Sequence, residues 1–580
     1  MREILRTSWP YLWRYRRPLS RGFTALVLKD AAAALTPLLI REGVDALTQG
    51  FRLERLVWFS VALAGLSAVK GLFQYWMRVI LIGVSRDIEY DLRNDLFTHL
   101  IGLSRDFYSR FRTGDIMARA TNDLNAVRMM LGPGIMYWSE TSLLFVLAIA
   151  AMLTVDWPLT LMALAPAPLV SVAVVFFGRI IHDRFQRIQK MFSDISSRVQ
   201  ENLAGARVVR AYAQEEAELK RFELLNRDYI AQNIRLARAS GMFMPMLQSL
   251  IGVTFLVVLW GGGARLLQGK ITLGTFLMFN TYMGLLIWPM IAFGWVVNLM
   301  QRGSASLKRI NEILEEKPSI AVPSNARRLP EPVRGEIEFR GVELRYGETR
   351  VLNGIDLRIP AGAVVAIVGH TGSGKTTLAD LVPRLIDPSA GAVLLDGVDL
   401  RELDPVEVRR QVGFVPQETF LFSATIAENI AFGVKDASEE QVRSAAELAG
   451  LGPDIAAFPD GYQTVVGERG ITLSGGQKQR AAIARAVLRD PRVLILDDAL
   501  SSVDTLTEER ILTGLAQVTR ERTTILISHR VSTVRSAGRI FVLENGLIVE
   551  QGTHEELLAQ GGYYADLYQK QLIEEELETA

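Results

Sequence analysis

The chain reads as two folds in series, an all-α domain of six membrane-spanning helices and then a mixed α/β domain. Three observations predict this. Six long apolar stretches lie before Arg302, a Pro-rich linker follows them, and beyond Gly335 short β runs alternate with amphipathic helices. The bulk composition agrees. A chain of 580 residues is too long for one domain. Its mean hydropathy of +0.19 is the average of an apolar half and a soluble half.

Composition also excludes several classes of function. The 64 Lys+Arg nearly balance the 63 Asp+Glu, and a net charge of +1 gives no electrostatic case for nucleic acid. The absence of cysteine rules out a disulfide scaffold, a Cys-ligated metal centre and thiol catalysis. Arg far outnumbers Lys, which suits a thermophile and a GC-rich genome equally.

The spans are placed near Gly22–Leu47, Leu56–Ile82, Leu131–Thr154, Leu159–Ile181, Phe243–Leu267 and Leu273–Met300, each about the 20 residues that a bilayer requires. Pro37, Pro166, Pro168, Pro245 and Pro289 fall inside them, which membrane helices tolerate. Asp156-Trp157-Pro158 turns the third span back into the fourth. Basic residues set the orientation. Val84–Arg128 carries seven Arg, and Arg179–Arg238 ten Arg and two Lys, against Arg52, Arg55 and Lys270 on the other side. Both long connections and both termini are therefore expected in the cytoplasm, with the chain multi-pass in the cell inner (plasma) membrane. Met1–Arg21, rich in Arg, Trp and Tyr, is expected to form an interfacial helix; the apolar run after it is too long for a signal peptide and lacks a small-residue cleavage pattern.

The connections are too long and too periodic to be loops, so helices two to five are expected to continue beyond the membrane. Each has one break. The first is Phe111–Ile116, before a short helix at Ala118–Asp123, and the second is Leu203–Arg207, before Val208–Gln214. The expected domains are 1–317 for the membrane region, 318–334 for the linker and 335–580 for the α/β domain.

The chemistry lies in the last of these. After the buried-strand pattern Ala363–Val368 comes Gly369-His370-Thr371-Gly372-Ser373-Gly374-Lys375-Thr376, which fits the phosphate loop G-x-x-x-x-G-K-[ST]. Its glycines let backbone N–H groups turn toward phosphate oxygens at a helix N-terminus, Lys375 would reach the β- and γ-phosphates, and Thr376 would bind Mg²⁺. Thr377 completes the nucleotide-binding set. A second strand, Val493–Asp497, ends in a carboxylate placed to hold the Mg²⁺ shell. Between them, Leu473-Ser474-Gly475-Gly476-Gln477 opens a helix and forms a second anion cradle. One nucleotide needs one cradle per chain. The second must serve a nucleotide held by another subunit, which implies a dimer with ATP between its halves.

On these residues the sequence resembles the ATP-binding cassette (ABC) exporters, as a half-transporter of the multidrug-resistance, ABCB-like kind with six membrane helices fused to one P-loop nucleotide-binding domain. The resemblance covers the whole chain and implies the type IV exporter fold, ATP and Mg²⁺ as cofactors, and an ATP hydrolase coupled to translocation. It assigns Tyr346 to adenine stacking and Gln417 to sensing Mg²⁺ and γ-phosphate. It likewise makes Glu468-Arg469-Gly470 a loop that reports to the partner, Asp504 part of the loop that communicates across the dimer, and His529 the switch histidine. The short helices near Asp115 and Arg207 match coupling helices.

One position departs from the pattern. The family places Glu after Asp497 to polarise the attacking water, and this chain has Asp498. The shorter side chain sets its carboxylate about 1 Å back, a displacement that can cost on the order of 10²-fold in rate. Because the Leu473–Gln477 signature is intact, the expected arrangement is a heterodimer. This chain then supplies Asp498 to an impaired site and its signature to a working one. A tolerated swap in a slow homodimer is the alternative. The resemblance implies ATP-driven export by alternating access, with a homodimeric lipid flippase as the rival reading. A mixture of aromatic, Met and amide side chains in the spans suits amphipathic drugs, lipids or hydrophobic peptides. Candidates to line the path are Trp76, Glu140, Gln248, Asn280, Met283, Trp288, Trp295 and Asn298.

Overall fold

The computed structural model describes residues 2–50, 52–467, 473–519 and 522–579. It divides into two compact units. One comprises Met1–Ile101 and Phe111–Glu316, and the other Gly102–Arg110 and Lys317–Ala580.

In the first unit α1 (Arg2–Arg14) leads into α2 (Arg16–Thr48). Trp9 and Trp13 stack at 5.6 Å with both rings exposed, and Arg16 lies over Trp13, an amphipathic surface of the kind that beds into a membrane interface. The opposite side of this entry segment is polar and anchored. Tyr11 donates to Asp95 at 2.7 Å, while Arg14 and Tyr15 reach Asp91 at 3.0 Å. Then come α3 (Leu53–Gly102) and, after α4 (Arg105–Arg110), which belongs to the second unit, a continuous helix built from α5 (Thr113–Ala118), α6 (Leu124–Met129) and α7 (Ile135–Val155). Two π turns, Arg119–Asp123 and Met130–Gly134, join those three segments. Pro133 explains the second, because it removes one N–H from the ladder. Around the first, Arg119 donates to Arg309 O at 2.7 Å, and Asp123 accepts from Ser306 at 2.9 Å and from Arg309 at 2.8 Å.

The remaining helices are α8 (Trp157–Leu164), α9 (Ala167–Ala204), α10 (Ala206–Ala211), α11 (Glu215–Leu267) and α12 (Leu273–Leu314). Among the described residues six helices are long and apolar enough to cross a membrane, matching the six expected spans. The turn expected at Asp156 is a capping site. Its carboxylate accepts from Leu159 N at 2.8 Å and pairs with Arg265 at 2.7 Å, tying the turn to the end of α11. Two details differ from the sequence expectation. The fourth span is interrupted at Ala165–Pro166, where Pro cannot continue the ladder. The first connection breaks at Phe111–Arg112 within the expected stretch but also once before it, at Leu103–Ser104, so a six-residue helix α4 lies between the two breaks, and Ala118–Asp123 runs on as helix and π turn. The second break lies at Gly205, as the sequence indicates, and Arg198 pairs with Glu218 at 2.7 Å across it.

The second unit holds two sheets. The antiparallel one has the order β2 (Thr349–Ile359), β1 (Ile337–Tyr346), β4 (Ala390–Leu395), β5 (Val398–Asp399). The larger has the order β10 (Leu547–Gly552), β9 (Arg539–Glu544), β3 (Val364–Val368), β8 (Thr523–Ile527), β7 (Val493–Asp497), β6 (Val412–Val415). All its pairings are parallel except β10 with β9. Both its faces are buried, as a parallel sheet requires. Val365, Ile367, Val493 and Ile495 point into one core, and Ala366, Val368, Leu494 and Leu496 into the other. Helices complete the layers: α13 (Lys375–Leu381), α14 (Pro405–Gln411), α15 (Ile426–Ala431), α16 (Glu439–Leu448), α17 (Gly452–Ala457), α18 (Gly475–Leu488), α19 (Thr505–Thr519), α20 (Val531–Val534), α21 (His554–Gln560) and α22 (Tyr563–Thr579).

Close helix approach in the first unit depends on glycine. A Cβ on Gly274, at the start of α12, would stand 2.2 Å from Arg41 O of α2, where Gly274 N also donates to Asp45. Gly274→Ala is expected to cost about 1–3 kcal/mol, because backbone must move to admit the methyl. Gly65→Ala, which meets open space, should be neutral or slightly stabilising. Thermal unfolding of the two variants in detergent compares them.

Candidate nucleotide site

Three neighbouring parallel strands build the site. In the order β3, β8, β7 their C-terminal ends lie level, with Ile367 opposite Ile527 and Asp497 opposite Ile527. Such ends are where open α/β sheets bind ligands. β3 delivers the phosphate loop, β7 delivers Asp497 and Asp498, and β8 delivers Ser528 and His529.

The loop needs glycine at two positions in particular. A Cβ at Gly369 would strike Leu543 O at 2.1 Å, and Gly374 caps α13 at φ +105 with Leu352 Cδ2 2.9 Å from where a Cβ would be. The loop closes around Lys375. Its Nζ donates to Gly369 O at 2.8 Å, His370 O at 2.7 Å and Ser373 Oγ at 3.5 Å. Burial lowers the Lys375 pKa, and the nearby carboxylates of Asp497 and Asp498 only partly offset this. The result is a desolvated cation at a helix N-terminus, a site made for an anion.

Asp497 is buried to 1% and its Oδ2 has no hydrogen-bond partner. Its pKa is raised by burial first and by Asp380 and Asp498 as well, against the hydrogen bond from Thr376 and the charge of Lys375. An orphaned carboxylate oxygen beside a threonine hydroxyl is the donor set of a hard divalent cation, so the residues fit Mg²⁺. His529 has a lowered pKa, through burial and the charge of Lys375, with Asp498 opposing, so its neutral form is favoured.

A cavity of ≈ 260 Å³ gathers Tyr346, Gln417, Asp497, Asp498 and His529 around Thr371, Gly372, Gly374, Lys375, Thr376 and Thr377. Val351 and Ile527 also line it, although neither was a candidate from its residue type. His370 is turned away, its ring edge-on to Tyr563 at 4.6 Å. Ser474–Gln477 lies apart from this lining. Ser474 is exposed and caps α18 in a reciprocal box: it accepts from Gln477 N at 3.3 Å, and Gln477 Oε1 accepts from Ser474 N at 2.9 Å. Asp504 is exposed too. The backbone and side chain of Thr507 hold its pKa down by hydrogen bonding. Glu468-Arg469-Gly470 falls outside the described residues.

The supporting residues were invisible to sequence reasoning because their partners are distant in the chain. Gln571 of α22 brackets His529, donating to His529 O at 2.5 Å and accepting from Val531 N at 2.8 Å. Arg530 ties that segment to the loop after β7, through Ser501 O, Val503 O and the buried Glu508. Arg105 of α4 pairs with the buried Asp380 of α13, one turn beyond Lys375. Asp498 itself sits at φ +48, in the left-handed region that Asp tolerates better than most residues, with its N–H bonded to Ile527 O at 2.8 Å.

The eight candidates for a transport path do not form one surface. Trp76, Gln248, Trp288 and Trp295 are exposed, Asn280 and Asn298 bond within their own helix, and Met283 lines a small cavity with Phe145 and Met290. Glu140 pairs with Lys29. A larger cavity of ≈ 440 Å³, lined by Thr141, Ser142, Phe145, Pro289, Met290 and Phe293 among others, holds none of the eight.

Residues 20–290 match the ABC transporter transmembrane region, and residues 352–501 match the ABC transporter family. The chain is 37% identical over 568 residues to the probable multidrug resistance ABC transporter ATP-binding/permease protein YheI of Bacillus subtilis, covering 97% of each. It is 37% identical to the multidrug resistance-like ATP-binding protein MdlA of Escherichia coli, covering 100% of this chain and 98% of that protein. It is 35% identical to an ATP-dependent lipid A-core flippase of Syntrophus aciditrophicus, covering 98% and 95%. Among solved structures, a bacterial Atm1-family ABC exporter with ATP bound matches at TM-score 0.79 and 29% identity, over 96% of this chain and 98% of that one.

The raised pKa of Asp497 has a consequence for stability. An acid whose folded pKa exceeds its unfolded one binds its proton more tightly when folded, so stability is lost as pH rises through the folded value, and at neutral pH its buried charge is a cost. Asp497→Asn is therefore expected to raise the melting temperature of the nucleotide-free chain at neutral pH, by about 2–4 °C for each kcal/mol relieved. The same variant should lose the additional stabilisation that Mg²⁺ with nucleotide gives the parent chain. Differential scanning fluorimetry with and without Mg²⁺–ATP reads both effects.

Proposed function

Because the chain belongs to the ABC transporters, with a membrane region and an ATP-binding cassette in one polypeptide, we propose that it exports amphipathic substrates as one half of a heterodimer. Its orientation in this reading places both termini and the cassette in the cytoplasm. ATP hydrolysis coupled to transport is the activity of the family, and the cavity around Lys375 is where this chain holds its nucleotide. Tyr346 stacks on the base, the loop from Gly369 to Thr377 binds the phosphates by its N–H groups, and Lys375 exchanges its carbonyl partners for phosphate oxygens. Thr376, Gln417 and Asp497 are the residues to hold Mg²⁺, which when bound would neutralise charge on the β- and γ-phosphates. Neutral His529 is positioned to donate to the terminal phosphate.

The observation that carries the heterodimer reading is the pairing of Asp498 with an intact Ser474–Gln477 whose Ser474 and Gly475 are exposed. Asp498 orients water poorly in this chain's own site. Ser474, Gly475, Gly476 and Gln477 do not line that site and complete the partner's in this reading, with Asp504 beside the joint. The cargo class rests on the apolar, aromatic lining of the ≈ 440 Å³ cavity and on the multidrug resistance names of YheI and MdlA. A homodimeric lipid flippase is the second reading, favoured by the likeness to lipid A-core flippases.

The purified chain alone is expected to hydrolyse ATP slowly, and Asp498→Glu to raise that rate by on the order of 10²-fold. In the complex with its partner, Asp498→Glu should change turnover little, while replacing the partner's catalytic Glu by Gln should abolish it. Rapid hydrolysis by the unmodified chain alone would overturn the heterodimer reading. Uptake into inverted vesicles of fluorescent drug, peptide and lipid probes separates drug export from lipid flipping.

A further inference from the structure

Three charged side chains meet in the apolar part of the first unit. Lys29 and Asp30 lie on α2, within the expected span Gly22–Leu47, and Glu140 lies on α7, within Leu131–Thr154. Lys29 Nζ is 2.7 Å from Asp30 Oδ1 and 2.5 Å from Glu140 Oε1. The side chain of Asp30 is 0% exposed, that of Lys29 4% and that of Glu140 18%. Both Asp30 Oδ1 and Oδ2 are buried with no hydrogen-bond partner, so Lys29 meets Asp30 as a charge only.

Other helices do little to balance this group. Lys70 of α3 is the next cation within electrostatic reach of Asp30, but it makes no contact with it. α12 contributes Tyr282, whose hydroxyl is committed to Ala34 O at 2.6 Å. With every group ionised, two carboxylates share one ammonium, and an excess negative charge sits where solvation is poorest. A helix–helix ion pair needs one acid and one base, so the second acid is surplus to packing. What is missing is a second positive charge. Side chains that are 0% and 4% exposed leave an organic cation no surface to touch, whereas a proton needs none.

The geometry points to a proton-binding site within the membrane, formed by Asp30 and Glu140 around Lys29, that holds one proton while α2 and α7 are packed together. A proton from water forms an O–H bond with one carboxylate oxygen, entering by way of the partly exposed Glu140. The acid so formed is neutral, and the other carboxylate keeps the ammonium as a neutral pair. Separating α2 from α7 takes Glu140 away from Lys29, leaves each acid better solvated and releases the proton. Helix packing and proton occupancy are then linked, and each shifts the other by the same free energy.

Infrared difference spectroscopy of the full chain in lipid nanodiscs, titrated with acid, tests this without nucleotide or partner, so its outcome is independent of the heterodimer reading. The parent chain is expected to show the carbonyl stretch of one water-inaccessible carboxylic acid that disappears as pH rises. Glu140→Gln and Asp30→Asn each leave a one-to-one ion pair and should each lose that signal completely; either variant suffices where the other fails to insert. A parent chain with no such signal at any pH, or variants that keep it undiminished, would overturn the proposal. So would Glu140-dependent binding of tetraphenylphosphonium to a parent chain that carries no bound proton, since the cluster would then be a site for organic cations.

Discussion

A lysine ammonium buried at the start of a helix organises the second unit of this chain. Lys375 has left water, and its charge is met by two loop carbonyls, a hydroxyl and the distant field of two carboxylates. Much of the neighbourhood follows from that. The loop must curl so that its carbonyls reach inward, which requires glycine where Leu543 O and Leu352 press on it. The lysine in turn depresses the pKa of His529 and partly offsets the cost of burying Asp497. Asp497 Oδ2 is left without a hydrogen-bond partner, whereas the loop itself fills the bonds of Lys375.

Around the site, side chains from distant parts of the chain hold its groups in place through filled hydrogen bonds and ion pairs. The two bonds between Gln571 and the main chain hold His529 from a distant part of the sequence. Arg530 links it to the turn after β7, and Arg105 reaches Asp380 on the phosphate-loop helix from a segment that grows out of α3. The nucleotide site is thus bordered by α4, by the C-terminal helix and by the loop carrying Asp504. These are the elements through which occupancy of the cavity can be felt elsewhere in the second unit.

How much of this the sequence disclosed depended on contiguity. Gly369–Thr376, Val493–Asp497 and Leu473–Gln477 are unbroken strings in which each residue type has a physical reason, and all but the last line or support one cavity. The six spans were legible because hydropathy integrates over many residues. Tyr346, Gln417 and His529 are single residues and became candidates only through resemblance, yet all three line the cavity. Pairings across long separations left no trace. Nothing in Lys29-Asp30 announces Glu140, and nothing in Arg105 announces Asp380. The extra break before Phe111 went unread for a different reason. α3 ends at Gly102, and one Gly inside a periodic run is too weak a signal to mark a helix end.

The two π turns of the third span change how that helix must be read. Each admits one residue more than an α turn holds, so the angular count around the axis advances by about 100° that a 3.6-residue wheel does not register. A wheel drawn from Thr113 is out of phase by Leu124 and again by Ile135. The face carrying Asp123 to α12 and the face carrying Glu140 to α2 cannot be placed on one stripe by counting residues. Substitutions spaced at helical intervals along this segment will sample different neighbours above and below each π turn, and a functional periodicity measured across it will be broken into three short registers.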